Sequence, residues 1–455
     1  MIVNPEGFKS FKNFIVMKKI KDEIVAWVKD YFAKNGDSET KALIGISGGK
    51  DSTVVAAVCV EALGKDRVVG VLMPNGVQTD IADSKRVCDF LGIKSYEINL
   101  KEGYDALAQE ISSKTGCELS SQFKTNTPSR LRMTTLYGVA ALIGNCRISN
   151  NGNLSERLIG YFTIWGDGAG DFAPLANLYV SDVVNLGIEL GLPEDLVKKV
   201  PSDGMCGKTD EDNLGFSYAD IEKVSRGLYN DVEPEIAAKI KNKINGISWK
   251  CKLLNLPCFV PSQKVLAIVD AQNDFIDGSL GVGVEKWSIA KKNIIELIRK
   301  ENYDRIVFTK DWHPANHCSF KEQGGPWPSH CVEGEFGAEI DSDFSNMNVR
   351  AITINKGCKQ DTEEYGIDVL TECVNVKEVH LVGLCYDFCV ASCAKETAKN
   401  NPGTKVVIKK AGTVAIDDNA VIDFDGLDII VEKTIKTKAI DKQLEYFNKQ
   451  KEALK

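Results

Sequence analysis

The stretch KALIGISGGKDSTVVAAVCVEALG, residues 41–64, decides the fold of the first half of the chain. KALIGI (41–46) is an apolar run of the length of a buried strand, and STVVAAVCVEALG (52–64) is dense enough in apolar residues for a buried helix. Between them lies Ser47-Gly48-Gly49, where glycines let the backbone turn sharply and approach a ligand without a Cβ clash. Outward from this junction, RVVGVLMP (67–74) and SYEINL (95–100) read as further strands, with the helical SKRVCDFLG (84–92) between them. On the other side, Ile20, Ile24, Trp27, Val28 and Tyr31 recur at helical spacing, which predicts an amphipathic helix over 9–34. Strands alternating with helices imply βαβ units and a parallel sheet. Helix-rich stretches at 104–145 and 181–228 flank a Gly/Asp-rich loop, WGDGAGDFAPL (165–175).

The pattern restarts after LPCFVPSQK (256–264), a short segment with two prolines. VLAIVD (265–270), RIVFTKDW (305–312), VRAITINKG (349–357), VHLVGLC (379–385), KVVIKK (405–410) and LDIIVEK (427–433) are six more strands, most of them separated by helices. The expected fold class is therefore α/β: two doubly wound parallel-sheet domains in tandem, 1–258 and 259–455.

Composition excludes several classes. The 455 residues are 43% hydrophobic and 26% charged, which is ordinary for a globular chain and excludes a largely disordered one. A net charge of −8 gives no overall positive field for nucleic acid. No apolar run reaches the roughly 18 residues of a membrane span, and MIVNPEGFKSFKNF lacks the zones of a secretory signal. Fourteen scattered cysteines without a CxxC pair suggest a reducing, cytoplasmic setting.

In GISGGKDST (45–53) the backbone N–H groups and a helix N-terminus would form an anion site suited to phosphate. Ser47 and Ser52 add hydroxyl donors. Asp51 is an acid where phosphates would sit, which makes sense with a cation, usually Mg²⁺, between them. The segment is not the GxxxxGK[ST] loop of phosphoryl-transfer enzymes. The competing reading is a strand–helix turn with no ligand.

SGGKDS resembles the signature of the N-type ATP pyrophosphatases. MPNGVQTD (73–80), TPSRLRMTTLYGVA (127–140), NGNLSE (151–156), GYFTIWGDGAGDFAPLANLY (160–179) and KTDEDNLGFSY (208–218) are similar to one branch of that group, the NAD synthetases. These enzymes adenylate the nicotinate carboxylate of deamido-NAD and let ammonia displace AMP. The resemblance implies that Gly45, Ser47, Gly48, Gly49, Lys50, Asp51 and Ser52 bind ATP, and that Asp51 and Glu156 hold Mg²⁺. It further implies that Arg130, Arg132 and Asp171 contact deamido-NAD, and that the chain forms a homodimer through this half. Many members have lysine where this chain has Ile164 and Val180, and threonine where it has Asn151. Lys208 and Lys250 are the candidates to compensate. About 40 residues precede the glycine loop, too few for a glutamine-hydrolysing domain, so free ammonia is the expected nitrogen donor. The alternative is a degenerate nucleotide-binding half with a regulatory role.

Three of the four histidines lie between 313 and 330. Asp311 and His313 close the strand RIVFTKDW, where an i, i+2 pair shares one side, and His330 in WPSHC can join them from a loop. One carboxylate and two imidazoles suit Zn²⁺, Mn²⁺ or Fe²⁺. His317 is a further ligand or a supporting donor, and His380, within a strand, reads as a core residue. Cys389 lies where a strand passes into a helix, so the helix N-terminus should stabilise its thiolate. Asp270 and Lys356 end other strands, at the sheet edge where α/β sites form.

VDAQNDF, TKDWHPANHCSF, GPWPSHC, NKG and YDFCV together resemble the isochorismatase-like cysteine hydrolases, and the metal motif is similar to that of the nicotinamidases. The resemblance implies a triad of Asp270, Lys356 and Cys389. It implies an oxyanion hole from the Cys385 and Cys389 N–H groups with a cis peptide at Leu384–Cys385. It also implies Phe275 and Trp327 as rings sandwiching nicotinamide, and one divalent metal, Zn²⁺ by preference. Hydrolysis of another small amide is the alternative.

Overall fold

The computed structural model describes residues 5–78, 81–199, 209–226, 228–252, 256–345 and 351–432. Lys208, Thr79, Asp80, Val349 and Arg350 lie outside these residues. The chain divides into two compact units, Met1–Pro261 and Ser262–Lys455.

The first unit carries a parallel sheet of four strands, β1 (Lys41–Gly45), β2 (Val68–Leu72), β3 (Lys94–Glu97) and β4 (Cys146–Ile148), in the order β3–β2–β1–β4. All five residues of β2 are buried, as a continuous β-branched run requires in a sheet covered on both faces. Helices α1 (Pro5–Asn35) and α2 (Lys50–Leu63) pack on the sheet, with Ile24, Val28 and Phe32 of α1 in the same apolar cluster as Val54, Val55 and Val58 of α2. Phe172 of the Gly/Asp-rich loop fits between Tyr31 and Phe32, at centroid distances of 5.2 and 5.3 Å, one stacked and one edge-on. Such aromatic pairs contribute about 0.5–1.5 kcal/mol each beyond burial, so they fix the loop to α1. Helices α3 (Ile81–Leu91), α4 (Lys101–Thr115), α5 (Ser121–Ile143), α6 (Leu154–Ile159) and α7 (Val180–Glu189) complete the surroundings of the sheet.

The second unit carries a six-stranded sheet in the order β10–β9–β8–β5–β6–β7, parallel throughout. Its strands are β5 (Gln263–Val269), β6 (Arg305–Asp311), β7 (Ala351–Lys356), β8 (Val376–Leu384), β9 (Lys405–Val414) and β10 (Ile429–Glu432). Apolar clusters fill both faces, around Leu266, Trp287 and Ile294 on one and around Val265, Leu381 and Ile408 on the other.

Both sheets reverse their winding once. In the first, the chain runs outward from β1 to β3 and returns to place β4 on the other side of β1. In the second, it runs from β5 to β7 and returns to place β8 beside β5. Loops leaving two neighbouring strands on opposite sides of such a reversal open a crevice at the carboxyl ends. Both candidate sites lie there.

Candidate active sites

The first crevice joins the loop after β1 to the loop after β4. Gly48 has φ +77°, and a Cβ on it would sit 2.9 Å from the Ser84 backbone nitrogen, so a side chain is excluded on two counts. Hydroxyls fix the turn: the Ser47 N–H donates to Ser52 Oγ at 3.2 Å, the two hydroxyl oxygens are 3.1 Å apart, and the Gly49 N–H donates to Ser47 Oγ at 3.2 Å. Helix α2 starts at Lys50 and directs its N-terminal N–H groups into this loop.

Asn153 organises the acids. Its side chain caps α6 by accepting from the Glu156 N–H at 3.1 Å, and the Glu156 carboxylate accepts from the Asn153 N–H at 3.1 Å. The Asn153 side-chain amide also donates to Asp51 Oδ1 at 3.0 Å, so one residue steadies both carboxylates. Burial, reinforced by the negative Asp51, pushes the Glu156 carboxyl up to about 8, with Lys50 pulling the other way. Two carboxylates joined through Asn153 are hard oxygen donors of the kind that fits Mg²⁺. Lys50 is itself buried, with its Nζ 2.9 Å from Asp51 Oδ2. Burial alone would lower its pKa, but Asp51 and Glu156 outweigh that and raise it.

The remaining expected residues have defined places. Arg130 and Arg132, on α5, donate through Nε to the carbonyls of Ile164 and Met73, each at 3.2 Å. Asp171 accepts from the Tyr137 hydroxyl at 3.0 Å and from the Ile148 N–H at 2.8 Å, which ties it to the end of β4. Asn151 accepts from the Ser149 hydroxyl at 2.7 Å and donates to the Gly45 carbonyl at 3.0 Å, joining the ends of β4 and β1. Val180 packs in an apolar cluster with Ile159 and Ile221. Lys250 donates to the carbonyls of Gly160 and Phe162, on the segment that carries Ile164.

The second crevice is centred on Lys356, a fully buried lysine at the end of β7. Its Nζ contacts Asp270 Oδ2 at 3.0 Å and Cys389 Sγ at 3.5 Å, and it donates to Asp311 Oδ1. Burial alone would lower the Lys356 pKa, but the two carboxylates reverse this and raise it. A carboxylate oxygen of each aspartate and the Cys389 sulfur lie within 4.8 Å of one another. Asp270 follows β5 at φ +46°, a conformation uncommon outside glycine. Thr309 of β6 donates its hydroxyl to Asp270 Oδ1 at 2.6 Å. Thr309 leaves Oδ2 to face the Lys356 ammonium and the Cys389 side of the site. Burial, with Asp311 adding to it, raises the Asp270 pKa against the pull of Lys356, making it a stronger base than an ordinary carboxylate.

Cys389 sits in a π-helical turn, Tyr386–Val390, just before the helix Ala391–Asn400. Burial, with Asp270 and Asp311 nearby, raises its pKa well above the ordinary thiol value, and Lys356 only partly offsets this. Desolvation and the two carboxylates thus act against the helix N-terminus, which alone would favour the thiolate. The Leu384–Cys385 peptide is cis, and Cys385 is buried beside the site.

Asp311, His313 and His330 are all buried, with ligand atoms within 4.8 Å of one another. His313 Nδ1 is 2.9 Å from the Gly357 carbonyl, which places the proton there. Its Nε2 then carries a buried lone pair that makes no hydrogen bond and faces Asp311 Oδ2 at 3.6 Å. His330 Nδ1 is 2.8 Å from the Pro328 carbonyl, which orients that ring in the same way. Burial lowers the His330 pKa and favours the neutral, ligating form. Gly357 has φ +64°, and a Cβ on it would strike the His313 ring at 2.3 Å. These donors fit a divalent transition metal. His317 stays outside the set: its Nδ1 is 2.7 Å from Ser319 Oγ and its Nε2 is 3.1 Å from the Thr362 carbonyl, so both nitrogens are engaged. Its ring stacks on His313 at 4.1 Å and supports it.

Phe275 lies 5.7 Å from the His330 ring, and Trp327 lies 5.8 Å edge-on to Phe388 while donating to the Tyr365 hydroxyl at 2.9 Å. His380 is a buried core residue between Tyr303 and Glu378. The sequence reading missed Gln272. Its buried side chain accepts from the Asp311 N–H at 2.8 Å and donates to the Asp311 carbonyl at 2.7 Å, fixing the backbone of a candidate ligand. The available signal was a polar residue two places after Asp270 in an otherwise apolar strand end.

Comparison with known proteins gives two family matches. A family model described as NAD synthase matches residues 20–247, and one described as an isochorismatase domain matches residues 264–421. An NH3-dependent NAD(+) synthetase of Pyrococcus horikoshii is 39% identical over 204 residues, covering 45% of this chain and 77% of the relative. The protein of the same description from Thermococcus sibiricus is 38% identical over 238 residues, covering 51% and 89%. A solved structure, the pyrazinamidase of Pyrococcus horikoshii in complex with zinc, is 30% identical, covering 38% of this chain and 99% of its own, with a TM-score of 0.33.

Proposed function

We propose a function from one premise: the chain belongs to the NAD synthase family through residues 20–247 and carries an isochorismatase domain over residues 264–421. The proposed protein is a bifunctional enzyme of pyridine-nucleotide salvage, cytoplasmic and dimeric through its N-terminal half. Its second unit hydrolyses nicotinamide to nicotinate and ammonia. Its first unit makes NAD from deamido-NAD, ATP and ammonia. The observation that most supports this is Lys356, which touches Asp270, Cys389 and Asp311 and so joins a nucleophile, a base and a candidate metal ligand.

In the hydrolase, Cys389 Sγ attacks the carboxamide carbon as its proton passes to Asp270 Oδ2. The Cys385 and Cys389 N–H groups stabilise the oxyanion. Asp270 then gives its proton to the leaving ammonia, and water hydrolyses the thioester. Lys356 keeps the carboxylates charged and placed. Phe275 and Trp327 hold the flat ring. Asp311, His313 and His330 would hold the metal, which when bound supplies an electrophilic anchor for the pyridine nitrogen and for water. A chelator is expected to remove nicotinamide hydrolysis, with Zn²⁺ or Mn²⁺ restoring it; full activity in rigorously metal-free protein would contradict the ligand assignment.

In the synthetase, the glycine loop cradles the triphosphate, and Asp51 and Glu156 would hold Mg²⁺, which when bound neutralises the phosphates. The nicotinate carboxylate attacks the α-phosphorus and pyrophosphate leaves; ammonia then attacks the acyl carbon and AMP leaves. Arg130, Arg132 and Asp171 are the proposed dinucleotide contacts. The test is to incubate the full chain with nicotinamide, deamido-NAD, ATP and Mg²⁺ without ammonium. NAD is expected to accumulate, and its absence despite ammonia release would refute the synthetase half. With ¹⁵N-nicotinamide in an unlabelled ammonium pool, label in NAD above pool dilution would support direct use of the released ammonia, and label at dilution would end that idea.

A further inference from the structure

Lys50 breaks two local rules at once. It is a lysine at the first position of α2, where the helix end is partially positive, and its side chain is only 4% exposed. A cation so placed is stable only if nearby anions outweigh both the dipole and the loss of water. Here they do: its Nζ is 2.9 Å from Asp51 Oδ2, and Asp51 is linked through the Asn153 amide to the α6 cap that holds Glu156. Lys50 therefore brings positive charge to the same pair of acids that a divalent cation would use.

We propose that the Lys50 ammonium is a resident stand-in for the divalent cation: it neutralises the Asp51–Glu156 pair before nucleotide arrives, and gives up the carboxylates to the metal when the ATP complex binds. This rests on the synthetase reading of the first unit. Once released, Lys50 is available to the triphosphate from the end of the glycine loop itself. The ammonium moves from carboxylate to phosphate and no covalent bond changes.

The test uses full-length protein whose second-unit metal position has first been filled with Zn²⁺. Mn²⁺ is then titrated by electron paramagnetic resonance, without nucleotide and with ATP. Glu156→Gln, which should lose the added Mn²⁺ binding, identifies the site. Removing a competing charge should tighten Mn²⁺ binding in nucleotide-free Lys50→Met by about tenfold or more, and should weaken ATP binding several-fold in the presence of Mg²⁺. Lys50→Gln, which keeps polarity without charge, should behave in the same direction, so a folding defect peculiar to methionine does not decide the result. Unchanged or weaker Mn²⁺ binding in both folded variants would overturn the stand-in role, and a packing role against Tyr218 alone predicts that outcome. If the unsubstituted protein shows no ATP-dependent Mn²⁺ binding at all, the synthetase reading itself falls, and the proposal with it.

Discussion

Cys389→Ala is expected to abolish ammonia release from nicotinamide, with kcat/KM falling at least about 10⁴-fold, and to leave NAD formation from deamido-NAD, ATP and added ammonium unchanged. The loss should be nearly complete because the thioester route has no other nucleophile at that position. Cys385 and Cys393 are buried, and burial pushes both thiols up to about 12. The variant should fold, since alanine removes one sulfur from a site that already tolerates a cramped Lys356–Asp270–Asp311 group. Hydrolysis surviving at a tenth of its rate would remove Cys389 from the mechanism. Loss of both activities in a well-folded variant would contradict independent centres.

Glu156→Gln is expected to lower ammonium-dependent NAD formation by about 10²- to 10³-fold, with nicotinamide hydrolysis untouched. The substitution is chosen for what it keeps. Glutamine retains an oxygen that can accept from the Asn153 N–H, so the cap of α6 survives. It relieves the cost of burying an ionisable carboxyl beside Asp51, so thermal stability should hold or rise. A variant that melts early has lost a structural element; one that melts normally and still makes NAD at full rate would show that Glu156 carries no magnesium.

Much of this was legible because the chain writes its strands plainly. Runs such as VLAIVD and VHLVGLC are short, apolar and β-branched, and each became a buried strand of the second sheet. The ends of such runs also located Asp270 and Lys356, since a parallel sheet presents its ligands at carboxyl ends. Strand order was not legible, because pairing joins segments far apart in sequence: β5 lies between β6 and β8. The strand Cys146–Ile148 escaped notice because three half-polar residues after a long helix carry no periodic signal. Only part of the surroundings of Cys389 was legible, for a physical reason. A helix N-terminus can be inferred from local sequence, whereas burial of the Tyr386–Val390 turn against β8 and β9 cannot. His317 shows the same limit, since the carbonyl of Thr362 that engages its second nitrogen is 45 residues away.

The single ammonium of Lys356 has an evolutionary corollary. Because it is shared between the acid proposed to move protons and the acid that would grip a metal, a change at one alters the charge balance of the other. A replacement that suits one partner must also satisfy the other, so new substrate preferences in this half are most accessible through the aromatic walls and surrounding loops, while the charged centre stays fixed.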